Sequence, residues 1–112
     1  MSRLVKILGV VIGLFFVFAG GSKLAGMSPH PEHFAQWGYP DWFRLFVGAW
    51  ETVFGISFMI PSLATVAGGA LMLGMVGAIF TAATRGPQPV QALFPLVILG
   101  LVAFVTRARR NA

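Results

Sequence analysis

Four long apolar stretches, joined by shorter connections, dominate the hydropathy pattern of this chain. They cover about residues 5–24, 42–60, 63–83 and 90–106. A helix that crosses a bilayer needs roughly 20 mainly apolar residues, within a range of about 17–25, and all four stretches qualify. Backbone hydrogen bonds must be satisfied within the segment in lipid, so each stretch is predicted to be a transmembrane helix.

The connections between these stretches differ in length. Pro61-Ser62 is a tight turn, and residues 85–89 contain prolines that stop the third helix. The first connection, residues 25–41, is longer, and Pro31 favours a short helix there that ends before Gly38. We therefore expect an all-α fold, a single domain over residues 1–112, in which an integral membrane four-helix bundle carries a short interfacial helix in its first connection.

Composition agrees with a membrane protein. Hydrophobic residues make up 57% of the chain and charged residues 10%, whereas a soluble domain carries about 25% charged residues. The basic N-terminus followed by an apolar run also resembles a signal peptide, but the run is close to full span length, which favours a retained helix. Cysteine is absent, which excludes disulfides and thiol chemistry within this chain.

The basic residues indicate an orientation. Five of the eight lie near the two ends of the chain, and they are Arg3, Lys6, Arg107, Arg109 and Arg110. Because cytoplasmic flanks of membrane helices are enriched in Lys and Arg, both termini are predicted to be cytoplasmic. This placement beside apolar runs differs from the basic face that nucleic-acid binding needs, so no nucleic-acid partner is expected.

Glu51 is the most informative single residue, because it is the only charge within the apolar run 45–60. An ionisable group at membrane depth indicates a functional site and needs a partner. Lys23, near the outer end of the first helix, can reach it, and Arg44 can assist from above. Two interpretations stay open: a buried ion pair that fixes the register of two helices, or a polar pocket that binds a head group or moves a proton.

Other residues near this pair form a possible ligand pocket. Small residues flank both charges, and aromatic residues of the first connection lie at the interface; the candidate pocket residues are Phe16, Gly20, Trp37, Tyr39, Arg44, Gly48 and Gly55. Phenylalanines on the first two helices would line a slot for a flat apolar ligand such as a quinone, or simply pack. The pair Gly9 and Gly13 would serve packing within one bundle or self-association.

The histidines of the first connection give little support for a metal centre. His30 and His33 lack a third strong ligand, and the alternative is that both are interfacial polar residues. Haem ligands would have to lie inside the bundle, and these do not. We therefore expect no metal site and no catalytic residues of the chain's own.

Four segments of the chain form a recognisable set: FAGGSKLAG (18–26), FAQWGYPDWFR (34–44), GAWETVFG (48–55) and LGMVGA (73–78). Together they resemble the DoxX-like family of small four-helix bacterial membrane proteins. The resemblance covers essentially the whole chain, and its most specific positions are Lys23 and Glu51, with the Gly-Tyr-Pro stretch at 38–40. Some relatives carry a histidine near the outer end of the third span, where this chain has Phe80 and Thr81, so direct redox catalysis is not favoured.

The resemblance implies a multi-pass protein of the bacterial inner membrane, since the family name comes from a subunit of a quinol oxidase and thiosulfate:quinone oxidoreductase system. We expect a non-catalytic subunit or accessory protein of a redox-linked complex, whose Lys23–Glu51 centre binds a quinone or a lipid head group. Its partners would be the bilayer and other membrane subunits or a second copy. The alternatives are a quinone-linked oxidoreductase subunit and a small oligomeric transporter or proton conductor.

Overall fold

The computed structural model describes residues 3–28, 30–85 and 92–110, with only the backbone of Arg110. Its regular elements are α1 (Arg3–Leu24), α2 (His30–Gln36), α3 (Asp41–Phe58), a 3-10 turn (Pro61–Leu63), α4 (Ala64–Thr84) and α5 (Leu93–Arg110). The all-α prediction is confirmed for these residues, and a short helix lies in the first connection. The predicted turn over residues 85–89 lies outside the described residues, except for Arg85.

Two glycines fix the path of the first connection. Gly26 and Gly38 have φ angles of +72° and +83°, in the left-handed region that glycine adopts without strain. After α1, the amide of Met27 donates to the Ser22 carbonyl and that of Gly26 to the Lys23 carbonyl. The same pair of hydrogen bonds follows α2, so both helices end in a Schellman motif. The connection is therefore ordered by backbone chemistry at both ends of α2.

The four long helices contact one another in the order α1–α3–α4–α5, and α5 also contacts α1. The closest approach is between α1 and α3, where glycines face each other. A Cβ on Gly20 would lie 2.5 Å from the Gly48 carbonyl oxygen, and one on Gly55 would lie 2.9 Å from the Phe16 Cβ. Small residues thus let the two backbones touch, which is how helices gain contact area in lipid.

The hydrophobic core lies in the half of the molecule away from α2. Its largest fully buried side chains come from all four long helices: Phe16, Phe58, Leu71, Val102 and Val105. At this end Arg109 Nη1 donates to the Phe58 carbonyl oxygen at 2.6 Å, and the guanidinium also lies over the Phe58 ring. A cation at the last carbonyls of a helix is favourable, so Arg109 fastens α5 to the end of α3.

The Gly9–Gly13 face of α1 packs within the chain. A Cβ on Gly9 would collide with the Arg109 guanidinium, and a Cβ on Gly13 would lie 2.8 Å from the Gly55 carbonyl oxygen. Of the two uses that the sequence left open, these contacts correspond to packing between helices of one chain.

Within the described residues, two helical segments are long and apolar enough to cross a membrane, judged by length and composition. They are Arg3–Leu24 and Pro61–Thr84, with mean hydropathies of 2.3 and 2.0. Helices α3 and α5 have 18 residues each and include charged side chains, at Asp41, Arg44 and Glu51 in the first and near the end of the second. The fold therefore supports two of the four predicted spans on these criteria.

A buried ion pair beside an aromatic cavity

Lys23 and Glu51 form an ion pair between α1 and α3. The Lys23 Nζ lies 2.7 Å from the Glu51 Oε1, and the two side chains are only 15% and 7% exposed. Gly20 and Gly48 face each other between them. Lys23 lies about one turn after Gly20, and Glu51 lies about one turn after Gly48. Because α1 and α3 are antiparallel, these two turns lead in opposite directions along the helix axes. That is an offset of about 9 Å at about 1.5 Å per residue, which the long lysine stem bridges.

Arg44 is a second buried cation, but its partners differ from those of Lys23. Its Nε and Nη2 donate to the two carboxylate oxygens of Asp41, each at 3.2 Å, and its Nη1 donates to the Lys23 carbonyl oxygen. This contact satisfies a carbonyl in the last turn of α1. Arg44 thus binds the backbone of Lys23 and the side chain of Asp41. The sequence predicted that Arg44 would help Lys23 to neutralise Glu51, but its hydrogen bonds go to these other groups.

A cavity of about 950 Å³ opens beside the ion pair, between α1, α2, α3 and α4 and the start of α5. Both Lys23 and Glu51 line it. Aromatic rings from α2, α3 and the segment between them line one part of it, and residues of α4, large as well as small, line another. The aromatic residues are Phe34, Trp37, Tyr39, Phe43, Phe46 and Trp50, and the small ones are Gly74, Gly77 and Ala78.

The aromatic wall is a continuous series of ring contacts. Ring centroids are 4.9 Å apart for Tyr39–Phe43, 6.1 Å for Phe43–Phe46 and 6.0 Å for Phe46–Trp50, and Phe54 continues the series at 4.7 Å from Trp50. Phe43, Phe46, Trp50 and Phe54 recur at steps of three and four, so they occupy one face of α3, and Tyr39 precedes that helix. The same periodicity in the sequence would have identified this wall.

The structure divides the predicted pocket residues into two groups. Phe16, Trp37 and Tyr39 line the cavity together with the ion pair. Arg44 and the three glycines do not line it: Gly20, Gly48 and Gly55 lie where α1 touches α3. The physical reason is that a glycine brings two backbones together and so removes space, whereas large rings hold helices apart.

Sequence reasoning missed several polar groups on the cavity wall, among them Ser22, His30 and Thr81. Ser22 Oγ donates to the Ala19 carbonyl oxygen and lies 2.9 Å from His30 Nε2. Since the single hydroxyl proton of Ser22 is used, His30 Nε2 must carry the proton of the second hydrogen bond. Burial lowers the pKa of His30, and the Lys23 ammonium lowers it further, so the imidazole is held neutral.

A second set of contacts holds the segment after α2 against α4. The hydroxyl groups of Tyr39 and Thr81 are hydrogen-bonded at 2.8 Å. Arg85 lies over the Tyr39 ring, 5.0 Å from its centroid, and donates to the Trp37 carbonyl oxygen at 3.1 Å. Together with the His30–Ser22 bond, these contacts connect the α2 segment to both α1 and α4, across the cavity.

The two indoles on the cavity wall differ in their hydrogen bonding. Trp50 Nε1 donates to the Ala70 carbonyl oxygen at 2.9 Å, which joins α3 to α4. Trp37 Nε1 is buried and donates to no acceptor among the residues that the structure describes. Most buried donors in proteins have a partner, so this N–H is an unusual feature of the wall.

The histidines are engaged in other contacts. His30 is bonded to Ser22, and the His33 ring lies 5.5 Å from the Trp37 ring. In the described parts of the chain, no three His, Cys, Asp or Glu side chains are grouped so that they could hold a metal ion. Both histidines line the cavity beside the ion pair.

Comparison with protein families gives one match. The family described as the DoxX-like family matches residues 7–105, which is almost the whole chain and includes both members of the ion pair. This match confirms the resemblance seen in the sequence. Comparisons with curated proteins and with solved structures give no match.

Proposed function

Because the chain belongs to the DoxX-like family, we propose that it is a non-catalytic subunit or accessory protein of a redox-linked complex in a bacterial inner membrane. It crosses the membrane four times, and both termini are cytoplasmic. Its cavity binds a quinone or a lipid head group beside the Lys23–Glu51 ion pair.

The exterior of the molecule supports membrane insertion of all four long helices. Large apolar side chains are exposed on each of them, including Val11 on α1, Val53 on α3, Leu73 on α4 and Val97 on α5. A soluble monomer rarely exposes apolar area on this scale. The described residues extend 42 Å along their longest axis, close to the roughly 40–45 Å of a bilayer with its head groups.

One observation carries the proposed binding role: an ion pair buried between two helices also lines a large aromatic cavity. A pair that served only to fix helix register would need no adjoining space, since close packing would stabilise it equally well. Polar groups inside an otherwise apolar pocket are the usual arrangement of a ligand site, in which they orient the ligand.

Purification from native membranes tests the proposed role directly. We expect the wild-type protein, extracted in a mild detergent, to retain partner subunits and an extractable lipid-soluble ligand. Lys23→Met/Glu51→Gln should lose the ligand, and Gly21→Ala, at a glycine with no atom within 4 Å of the added Cβ, should retain it. A ligand-free wild-type monomer with no partner would refute the proposal.

The topology has an independent test, because the chain contains no cysteine. Ser28 follows α1 and Ser62 lies between α3 and α4, and both are exposed. With cytoplasmic termini, Ser28→Cys should react with a membrane-impermeant maleimide on intact cells, and Ser62→Cys only after permeabilisation. Equal labelling of both on intact cells would contradict the four-span arrangement.

A further inference from the structure

The polar part of the cavity wall contains a buried hydrogen-bond donor without an acceptor. The indole N–H of Trp37 is buried and has no acceptor within the described residues. Lys23 and Glu51 form an ion pair at 2.7 Å, and the Glu51 Oε1 has no hydrogen-bond partner among these residues. Leaving a buried donor without an acceptor is unfavourable. A molecule that fits this wall therefore supplies an acceptor for the Trp37 N–H.

The charge of the wall favours a neutral molecule. Glu51 compensates the positive charge of Lys23 at 2.7 Å, and neither side chain is more than 15% exposed. His30 also lies on the wall, and its burial lowers its pKa, which favours the neutral imidazole. An anionic head group would add a negative charge beside the Glu51 carboxylate, and a buried charge without a counter-charge of its own is strongly unfavourable.

The apolar part of the wall favours an apolar body. Aromatic rings of α3 and apolar residues of α4, among them Leu73, Gly74 and Met75, line the space between these helices. Phe18 and Phe80 line the cavity and are also 74% and 61% exposed. The rim is therefore continuous with the apolar exterior, and a molecule dissolved in lipid can enter without crossing a polar surface.

We propose that the cavity binds a neutral, lipid-soluble molecule through a carbonyl oxygen that accepts a hydrogen bond from the Trp37 indole N–H. The proposal rests on the proposed membrane location, and it deepens the proposed binding role by naming the recognised group. A quinone ring and the ester of an uncharged glycerolipid both present such an oxygen on an apolar body. The ion-paired wall disfavours anionic head groups.

The test uses the full-length protein in dodecyl maltoside micelles, a detergent without carbonyl groups. Decylubiquinone is titrated, and quenching of tryptophan fluorescence reports binding. Trp37→Phe keeps an aromatic ring and removes the N–H, and Trp50 remains as a reporter on the wall. Loss of one hydrogen bond should weaken binding about 3- to 10-fold. Trp42→Phe is the matched control, because Trp42 is exposed and is not part of the wall; its affinity should be unchanged.

Competition experiments with the wild-type protein identify the recognised group without any variant. Decylbenzene has a ring and an alkyl chain but no oxygen, and it should displace decylubiquinone at least about tenfold less well. Displacement by 1-oleoylglycerol, weakened in Trp37→Phe, would support the proposal and identify an ester as a source of the carbonyl.

Four results would each overturn the proposal. They are equal displacement by decylbenzene, equal affinities of Trp37→Phe and Trp42→Phe, displacement by phosphatidylglycerol alone, and absence of any saturable quenching. In that case the proposed membrane topology is still decided separately, by cysteine labelling at Ser28 and Ser62. The role in a complex is likewise decided by the partner subunits that co-purify.

Discussion

Removing one member of the Lys23–Glu51 pair should destabilise the protein far more than removing both. Lys23→Met leaves a carboxylate that is 7% exposed without its cation, and Glu51→Gln leaves the ammonium without its anion. The double variant Lys23→Met/Glu51→Gln leaves two neutral side chains of similar size in the same place. The three variants and the wild type form a double-mutant cycle that isolates the interaction between the two residues.

The distance between the charges sets the magnitude. At 2.7 Å, the Coulomb attraction is about 6 kcal/mol with an effective dielectric constant of about 20. The cost of removing both charges from water opposes this attraction, so the net contribution of the intact pair is small. Each single substitution should therefore cost about 3 kcal/mol or more, whereas the double variant should lie within about 1 kcal/mol of wild type.

The assay is unfolding by SDS in mixed micelles, followed by circular dichroism, which gives a free energy of unfolding for each protein. Lys6→Met is the control, since Lys6 is an exposed charge on the same helix, and it should change stability by less than about 0.5 kcal/mol. Additivity of the two single substitutions within about 0.5 kcal/mol would show that the charges do not interact, and it would refute the reasoning.

Three further substitutions test the packing and the α2 contact by the same titration. Gly20→Ala should cost about 1–3 kcal/mol, since its Cβ would lie 2.5 Å from a carbonyl oxygen of α3; Gly21→Ala, which meets no atom within 4 Å, should cost nothing. Arg109→Gln should cost about 1.5–3 kcal/mol, because its guanidinium donates to the Phe58 carbonyl at 2.6 Å; a change below about 0.5 kcal/mol would contradict this. Burial lowers the pKa of His30 in the folded protein, so the unfolded chain binds the proton first, and stability should fall as the pH drops below the unfolded value of 6.5. His30→Gln should flatten this dependence, and an unchanged slope between pH 7 and pH 5 would contradict it.

Local sequence signals were sufficient to predict that the helices exist, but they predicted the first and last residues of each helix less accurately. The apolar stretches and the positions of Pro31 and Gly38 predicted five helices close to where they occur. The last helix was placed at about residues 90–106 but runs over Leu93–Arg110. Charge ends an apolar run without ending a helix, and Arg109 continues α5 because its guanidinium finds the Phe58 carbonyl oxygen and ring. Such a contact depends on tertiary structure and leaves no local signal.

The ion pair was predictable from the sequence, whereas the lining of the cavity was predictable only in part. A lone carboxylate in an apolar run needs a cation, and Lys23 was the nearest one on an antiparallel neighbour, so burial alone identified the partner. The shape of the surrounding space depends on the sizes of side chains that meet across helices. Gly20, Gly48 and Gly55 share a face with the charges, and the sequence interpretation counted them as pocket walls although they bring the helices together.

The ion pair could fix the register of two helices and also form part of a pocket wall, so the two interpretations are not exclusive. The pair lies between the α1–α3 contact and the cavity. On one side of it, glycines bring α1 and α3 together; on the other, the rings of α3 keep the cavity open toward α4. A shift of α1 by one residue along its axis would move Lys23 by about 1.5 Å relative to Glu51. The same shift would move Phe16 and Ser22 along the cavity wall. The pair therefore couples the register of the helices to the shape of the cavity. If the cavity has the binding role proposed above, a substitution that changes the register should also weaken ligand binding.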